Sequence, residues 1–162
     1  IKRFLETYEE NPKQKGLYVY GECGQGKSYI VAYLAVELAN KGIDVAFVYY
    51  PDLVRKIKSM VLTGGIDQLV NELKRVPILF LDDFGGETTT AFIRDEVLGA
   101  VLQDRMENKK LTFMTSNLDP AMLHNHLAET AKDVDALKAS RIEERIRVLM
   151  EFVEINDIDY RN

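Results

Sequence analysis

The sequence is poor in the residues that build metal and disulfide scaffolds. Its 162 residues include one cysteine, two histidines, four prolines and no tryptophan. The single thiol, Cys23, excludes an intramolecular disulfide framework and suits a reducing, cytoplasmic setting. The lone pair His124 and His126 lacks the further histidine that would complete a ligand set, so both are expected to be surface residues near a helix. No stretch reaches the roughly 18 apolar residues that cross a bilayer, which excludes a membrane-spanning helix. A general cationic footprint is missing too. Twenty-one basic residues against 26 acidic ones leave a net charge of −5, so any contact with nucleic acid must be a local patch. Internal repeats and low-complexity tracts are absent. What remains is a 46% hydrophobic chain, rich enough in apolar residues to bury a core and of a length that suits one domain. It opens with neither Met nor a signal peptide, so it is expected to be a piece of a longer protein, with 1–15 as a lead-in and 16–162 as the domain.

Hydrophobic periodicity alternates helices with short apolar strands. Residues 1–10 form an amphipathic lead-in ended by Asn11-Pro12. Strands are expected at 17–20, 45–49, 78–81, 111–114 and 150–155. Helices are expected at 27–40, 52–62, 66–74, 91–107 and 136–146, with another begun by Asp119 as N-cap and Pro120 at the first helical position. In the helix over 27–40, Ile30, Tyr33, Leu34, Val36 and Leu38 form the apolar side. The uniformly apolar run Val45–Tyr49 predicts a strand buried on both faces. Strand and helix alternating five times predict an α/β fold with a parallel sheet covered on both sides.

Gly21-Glu22-Cys23-Gly24-Gln25-Gly26-Lys27-Ser28 fits G-x-x-x-x-G-K-[ST] in full, between a strand and a helix. The glycines let successive backbone N–H groups turn toward one anion at a helix N-terminus. Lys27 supplies a cation for the β- and γ-phosphates and Ser28 a hydroxyl for Mg²⁺. The nucleotide-contacting set is therefore residues 21–28 with Tyr29 beside them. Cys23 reads either as a small residue tolerated in the loop or as a point of redox control.

Downstream, Ile78-Leu79-Phe80-Leu81 ends in Asp82-Asp83. An apolar strand cannot bury two carboxylates, so both are expected to emerge at its carboxyl end beside the phosphate loop. Asp82 is the candidate for the Mg²⁺ shell. Asp83 is the candidate that orients or deprotonates water, and its short side chain predicts slow turnover. Asp83-Phe84-Gly85 spells a kinase motif, but the chain has no H-R-D-x-x-x-x-N loop and its glycine loop is of another type. Asn117, in Thr115-Ser116-Asn117, can both donate and accept, which suits a γ-phosphate sensor; a polar cap before Asp119 is the alternative.

These pieces in this order resemble the AAA+ ATPases, and more narrowly the DnaI/DnaC family of bacterial replicative-helicase loaders. The resemblance covers nearly the whole chain. It rests on the phosphate loop, on 81–87, on Arg94-Asp95-Glu96-Val97-Leu98-Gly99 continuing to Arg105-Met106, on 115–117, and on Arg141-Ile142-Glu143-Glu144-Arg145-Ile146. It implies a five-stranded sheet of order 5-1-4-3-2 without the usual helical lid, ATP and Mg²⁺ as ligands, and assembly of neighbouring subunits. It also implies that Arg145 is an arginine finger offered in trans, with Arg141 beside it. The residues by themselves equally allow two arginines one turn apart paired with Glu143, Glu144 or Glu151. The implied function is ATP-dependent loading of the replicative helicase onto single-stranded DNA, with the helicase held mainly through a region preceding this chain. In that branch the segment after the second strand faces a central channel, so Arg55, Lys56 and Lys58 are candidate contacts to DNA phosphates; a solvated helix face is the alternative. Two rivals stand beside this reading. One is an IstB-like transposition helper ATPase, against which segment 94–106 argues; the other is a nucleotide-switched DNA-binding module with negligible hydrolysis.

Overall fold

The computed structural model describes residues 1–130 and 134–156; Asp159-Tyr160-Arg161 lie outside them. Its core is a parallel sheet of β1 (Gly16–Tyr20), β2 (Val45–Tyr49), β3 (Ile78–Phe84), β4 (Thr112–Ser116) and β5 (Met150–Glu154), in the order β2-β3-β4-β1-β5. That is the expected 5-1-4-3-2 arrangement, and every pairing is parallel. The helices are α1 (Lys2–Glu10), α2 (Lys27–Asn40), α3 (Tyr50–Met60), α4 (Ile66–Arg75), α5 (Ala100–Glu107), α6 (Pro120–Ala128) and α7 (Ala136–Leu149).

Strand alternation divides the core into two layers. Ile78 and Phe80 of β3, Val19 of β1 and Phe113 of β4 face α2, with Phe4, Leu5 and Tyr8 of α1 packed alongside. Phe80 and Phe113 stack with ring centroids 4.4 Å apart, and Phe4 meets Phe113 edge-on at 5.3 Å. On the other side Leu79, Leu81, Tyr18 and Met114 meet apolar residues of α3, α4, α5, α6 and α7. Both faces of β3 and β4 are thus covered, which is why Ile78-Leu79-Phe80-Leu81 of β3 reads as an unbroken apolar run, while the Thr and Ser of β4 are buried with hydrogen-bond partners.

Four sequence expectations change. Val45–Tyr49 is an edge strand, and Phe47 and Tyr49 keep 43% and 46% of their surface exposed. In α2 the buried apolar residues are Val31, Leu34, Ala35 and Leu38, while Tyr33 and Val36 face outward. The helix expected over 91–107 is a π-helical segment, Ile93–Gly99, running into α5. And β3 continues through Asp82 and Asp83 to Phe84, so Asp82 does not emerge: it is buried inside the strand, where hydrogen bonds compensate its charge.

A candidate nucleotide site at the carboxyl edge of the sheet

β1 leads directly into the phosphate loop, and Gly24 and Gly26 take left-handed φ of 84° and 78° there, a conformation open to glycine at little cost. Gly26 is the N-cap of α2, and no side chain caps the first turn. The orphan N–H groups of that turn are therefore available to an anion. Lys27 is 8% exposed and donates through Nζ to the carbonyl oxygens of Gly21 (2.9 Å) and Glu22 (2.6 Å). Its ammonium is held against the loop that an anionic tail would occupy.

The parallel order places β4 beside β1 and β3 beside β4, so the carboxyl ends of both meet this loop. Ser28 Oγ donates to Asp82 Oδ1 at 2.8 Å, and Thr115 Oγ1 donates to the same oxygen at 2.6 Å. Thr115 Oγ1 in turn accepts from the backbone N–H of Asp83 at 2.9 Å. Asp83 has φ 59°, left-handed for a residue with a side chain, and its Oδ2 accepts from Tyr49 Oη at 3.1 Å. The carboxylate beside it raises the Tyr49 pKa, because ionising the phenol would lose that hydrogen bond and add a like charge. A hollow of about 340 Å³ joins Cys23, Gly24, Lys27, Ser28, Asp83 and Asn117. Tyr29, 78% exposed, and the buried Thr115 complete its wall. A second hollow, of about 440 Å³, adjoins it through Asn117 and is lined by Gly21, Glu22 and Gln25. Gln25 Oε1 is the one buried side-chain polar atom without a hydrogen-bond partner among the described residues.

The donor chemistry fits a magnesium nucleotide. Ser28 and Asp82 present two hard oxygens side by side, and the described residues hold no group of three or more His, Cys, Asp or Glu that could enclose a metal alone. A cation that keeps several waters and takes its remaining ligands from phosphates needs such a partial set.

Other candidates fall elsewhere. Arg145 is half-buried and donates through Nη1 to the carbonyl oxygen of Gly99 at 2.9 Å, while Arg141 is exposed with no partner among the described residues. Neither pairs with Glu143, which instead takes Arg147 (2.9 Å) and His124 (2.9 Å). Both arginines line a hollow with Asp95 and Lys138 that shares no residue with the phosphate cradle. On α3, Arg55 pairs with Asp52 at 3.0 Å and Lys58 Nζ donates to the Thr88 carbonyl at 2.5 Å; Lys56 is exposed. The histidines are not free surface groups. His126 Nε2 lies 2.9 Å from Glu87 Oε1, whose side chain is only 2% exposed, and Glu87 Oε2 accepts from the N–H of Gly85 at 2.8 Å. Sequence reasoning overlooked Thr115, Tyr49 and Glu87. Thr115 had a signal, since it ends the strand beside the acidic one; Tyr49 and Glu87 had none until the strand order was known.

Comparison with known proteins agrees with this geometry. The family model described as "IstB-like ATP binding protein" matches residues 6–162. The replicative helicase loader DnaI of Bacillus subtilis is 40% identical over 150 residues, 92% of this chain and 48% of that protein. The replicative helicase loader DnaC of Escherichia coli K12 is 25% identical over 135 residues, 82% of this chain and 54% of that protein. A crystal structure of DnaI superposes with a TM-score of 0.84 at 39% identity, covering 95% of this chain and 82% of that one. The chain thus spans about half the length of the two loaders. With its phosphate loop, its acidic strand end and this sheet order, the chain belongs to the IstB-like ATP-binding family and is an AAA+ domain of the DnaI/DnaC type.

Proposed function

We propose that this domain hydrolyses ATP to ADP and phosphate, and that this switch drives loading of a replicative helicase onto single-stranded DNA in the cytoplasm, at the nucleoid. The observation that carries the reading is the hydrogen-bonded chain Ser28–Asp82–Thr115–Asp83 closing on the phosphate loop. Residues 21–28 would bind the triphosphate through backbone N–H groups, and Lys27 would leave the Gly21 and Glu22 carbonyls for the β- and γ-phosphates. Ser28 and Asp82 would hold Mg²⁺, whose chemistry when bound is to neutralise charge on the phosphate oxygens. Asp83 would orient the attacking water and accept its proton, and Asn117 would hold the γ-phosphate side of the cleft. Tyr49 occupies one oxygen of Asp83, which supports slow basal turnover. Because Arg141 and Arg145 lie outside the phosphate cradle, they are assigned to a neighbouring subunit's nucleotide, with Arg141 the freer guanidinium. Arg55, Lys56 and Lys58 are proposed to meet the DNA backbone, Lys58 after release from Thr88.

The test is to mix the full-length protein with its host's replicative helicase under ATP, ADP or no nucleotide. A complex should form, and oligo(dT) should enter it with ATP. ATP binding without turnover, even with DNA and helicase present, would favour the nucleotide-switched module.

A further inference from the structure

At the end of the sheet opposite the nucleotide site, lysines gather at the amino ends of β1, β4 and β5, with Glu151 of β5 lining a neighbouring hollow that Lys13 and Lys15 also border. Lys13, Lys15, Lys109 and Lys110 border a hollow of about 270 Å³ whose other walls include Met106 and Val148. No carboxylate lines it. None of the four lysines is in an ion pair among the described residues, although the chain carries a net charge of −5. Two are anchored without being neutralised: Lys15 Nζ donates to the Arg147 carbonyl at 3.0 Å and Lys110 Nζ to the Lys74 carbonyl at 2.7 Å. Each ammonium has three donors, so capacity remains on both. Lys109 sits at φ 50°, a left-handed position that glycine or asparagine fills more cheaply than lysine. A charged side chain therefore stands there at a local backbone cost.

Clustered uncompensated cations attract an anion, and the walls decide which kind. The lining contains no aromatic ring on which a base could stack, as groove binding to single strands commonly requires. It does contain aliphatic surface: Val148 is 47% exposed and Met106 half-buried. We propose that this hollow is a docking site for an acidic peptide segment of a protein partner, its carboxylates on the four lysines and one aliphatic side chain against Met106 and Val148. The inference is independent of the nucleotide reading, because the site touches none of those residues.

A fluorescein-labelled peptide alternating glutamate and leucine, titrated into the chain and followed by anisotropy, tests it. Saturable binding is expected, weakened about tenfold by Lys13→Glu with Lys109→Gly, as expected for two exposed charge contacts. Neither of those side chains has a hydrogen-bond partner among the described residues, and Lys109→Gly relieves the left-handed strain, so the thermal midpoint should hold or rise as binding falls. No binding, binding unchanged in the double variant, or loss of oligo(dT) binding in place of peptide binding would each overturn the proposal.

Discussion

Arg105 has no carboxylate partner among the described residues and none of its surface in water, yet it is fully hydrogen-bonded. Its Nη atoms reach the carbonyls of Leu73, Val76, Pro77 and Leu111, and Nε reaches Thr112 Oγ1. One guanidinium thereby joins the end of α4 to the starts of β3 and β4. Burial pulls its pKa down to about 10, which still leaves it charged at neutral pH. Arg105→Leu would strand several buried carbonyls, and we expect it to lower unfolding stability by roughly 3 kcal/mol or more. Urea titration measures this, and Arg105→Lys should recover only part of the loss because an ammonium cannot fork to so many acceptors. Tyr49 is a residue of the opposite kind, exposed and poised over chemistry. Tyr49→Phe removes one hydrogen bond of ~0.5–1 kcal/mol from Asp83, so basal ATP turnover should rise about threefold without a change in nucleotide affinity. A fall in turnover would mean that the phenol supports Asp83 in place of restraining it. Asp83→Asn should abolish turnover in either background.

Among the elements, α6 and α7 are locked by a carboxylate with two partners. Glu143 Oε1 accepts from Arg147 Nε (3.2 Å) and Nη2 (2.9 Å), and its Oε2 lies 2.9 Å from His124 Nδ1. Burial pushes its pKa up, but the bonds from Arg147 and His124 outweigh that and hold it below the usual 4.5. A carboxylate with its folded pKa depressed contributes stability that is present at neutral pH and lost as pH falls through the folded value. The thermal midpoint should therefore drop from about pH 4.5 downward, and Glu143→Gln should lower it at pH 7 while flattening that acid limb. An unchanged acid limb in the variant would remove Glu143 from the coupling. Element positions were largely legible in the sequence, because β3, covered on both faces, shows it as the continuous apolar run Ile78–Leu81. The edge strand β2 was misread for the same reason: Phe47 and Tyr49 are apolar, but the sheet ends there and leaves them half-bare. The π-helical turn at Ile93–Gly99 had no cue, since its extra residue per turn barely disturbs an apolar stripe. At the site, the phosphate loop and Asp82 follow from local motif, whereas Tyr49 and Glu87 become partners of the Asp83 loop only through contacts between distant segments.

For the molecule as a whole, a parallel sheet puts the carboxyl ends of β1, β3 and β4 together and makes one cleft there. It also carries α7, with Arg141 and Arg145, outside that cleft's walls. A domain so built holds a phosphate cradle and a free guanidinium that do not meet within one chain, and two copies would supply each other. Arg141→Ala should retain ATP binding but lose the stimulated rate by at least ~100-fold, below the 10³–10⁵ seen where a finger is measured. Lys27→Ala should lose ATP binding yet still present Arg141. Mixing the two inactive variants should therefore restore turnover, because in the proposed trans arrangement a subunit with an intact cradle would sit beside one with an intact arginine. The activity should rise with total protein concentration and vanish on dilution. Mixtures that stay as inactive as their components would mean that Arg141 serves its own chain or none.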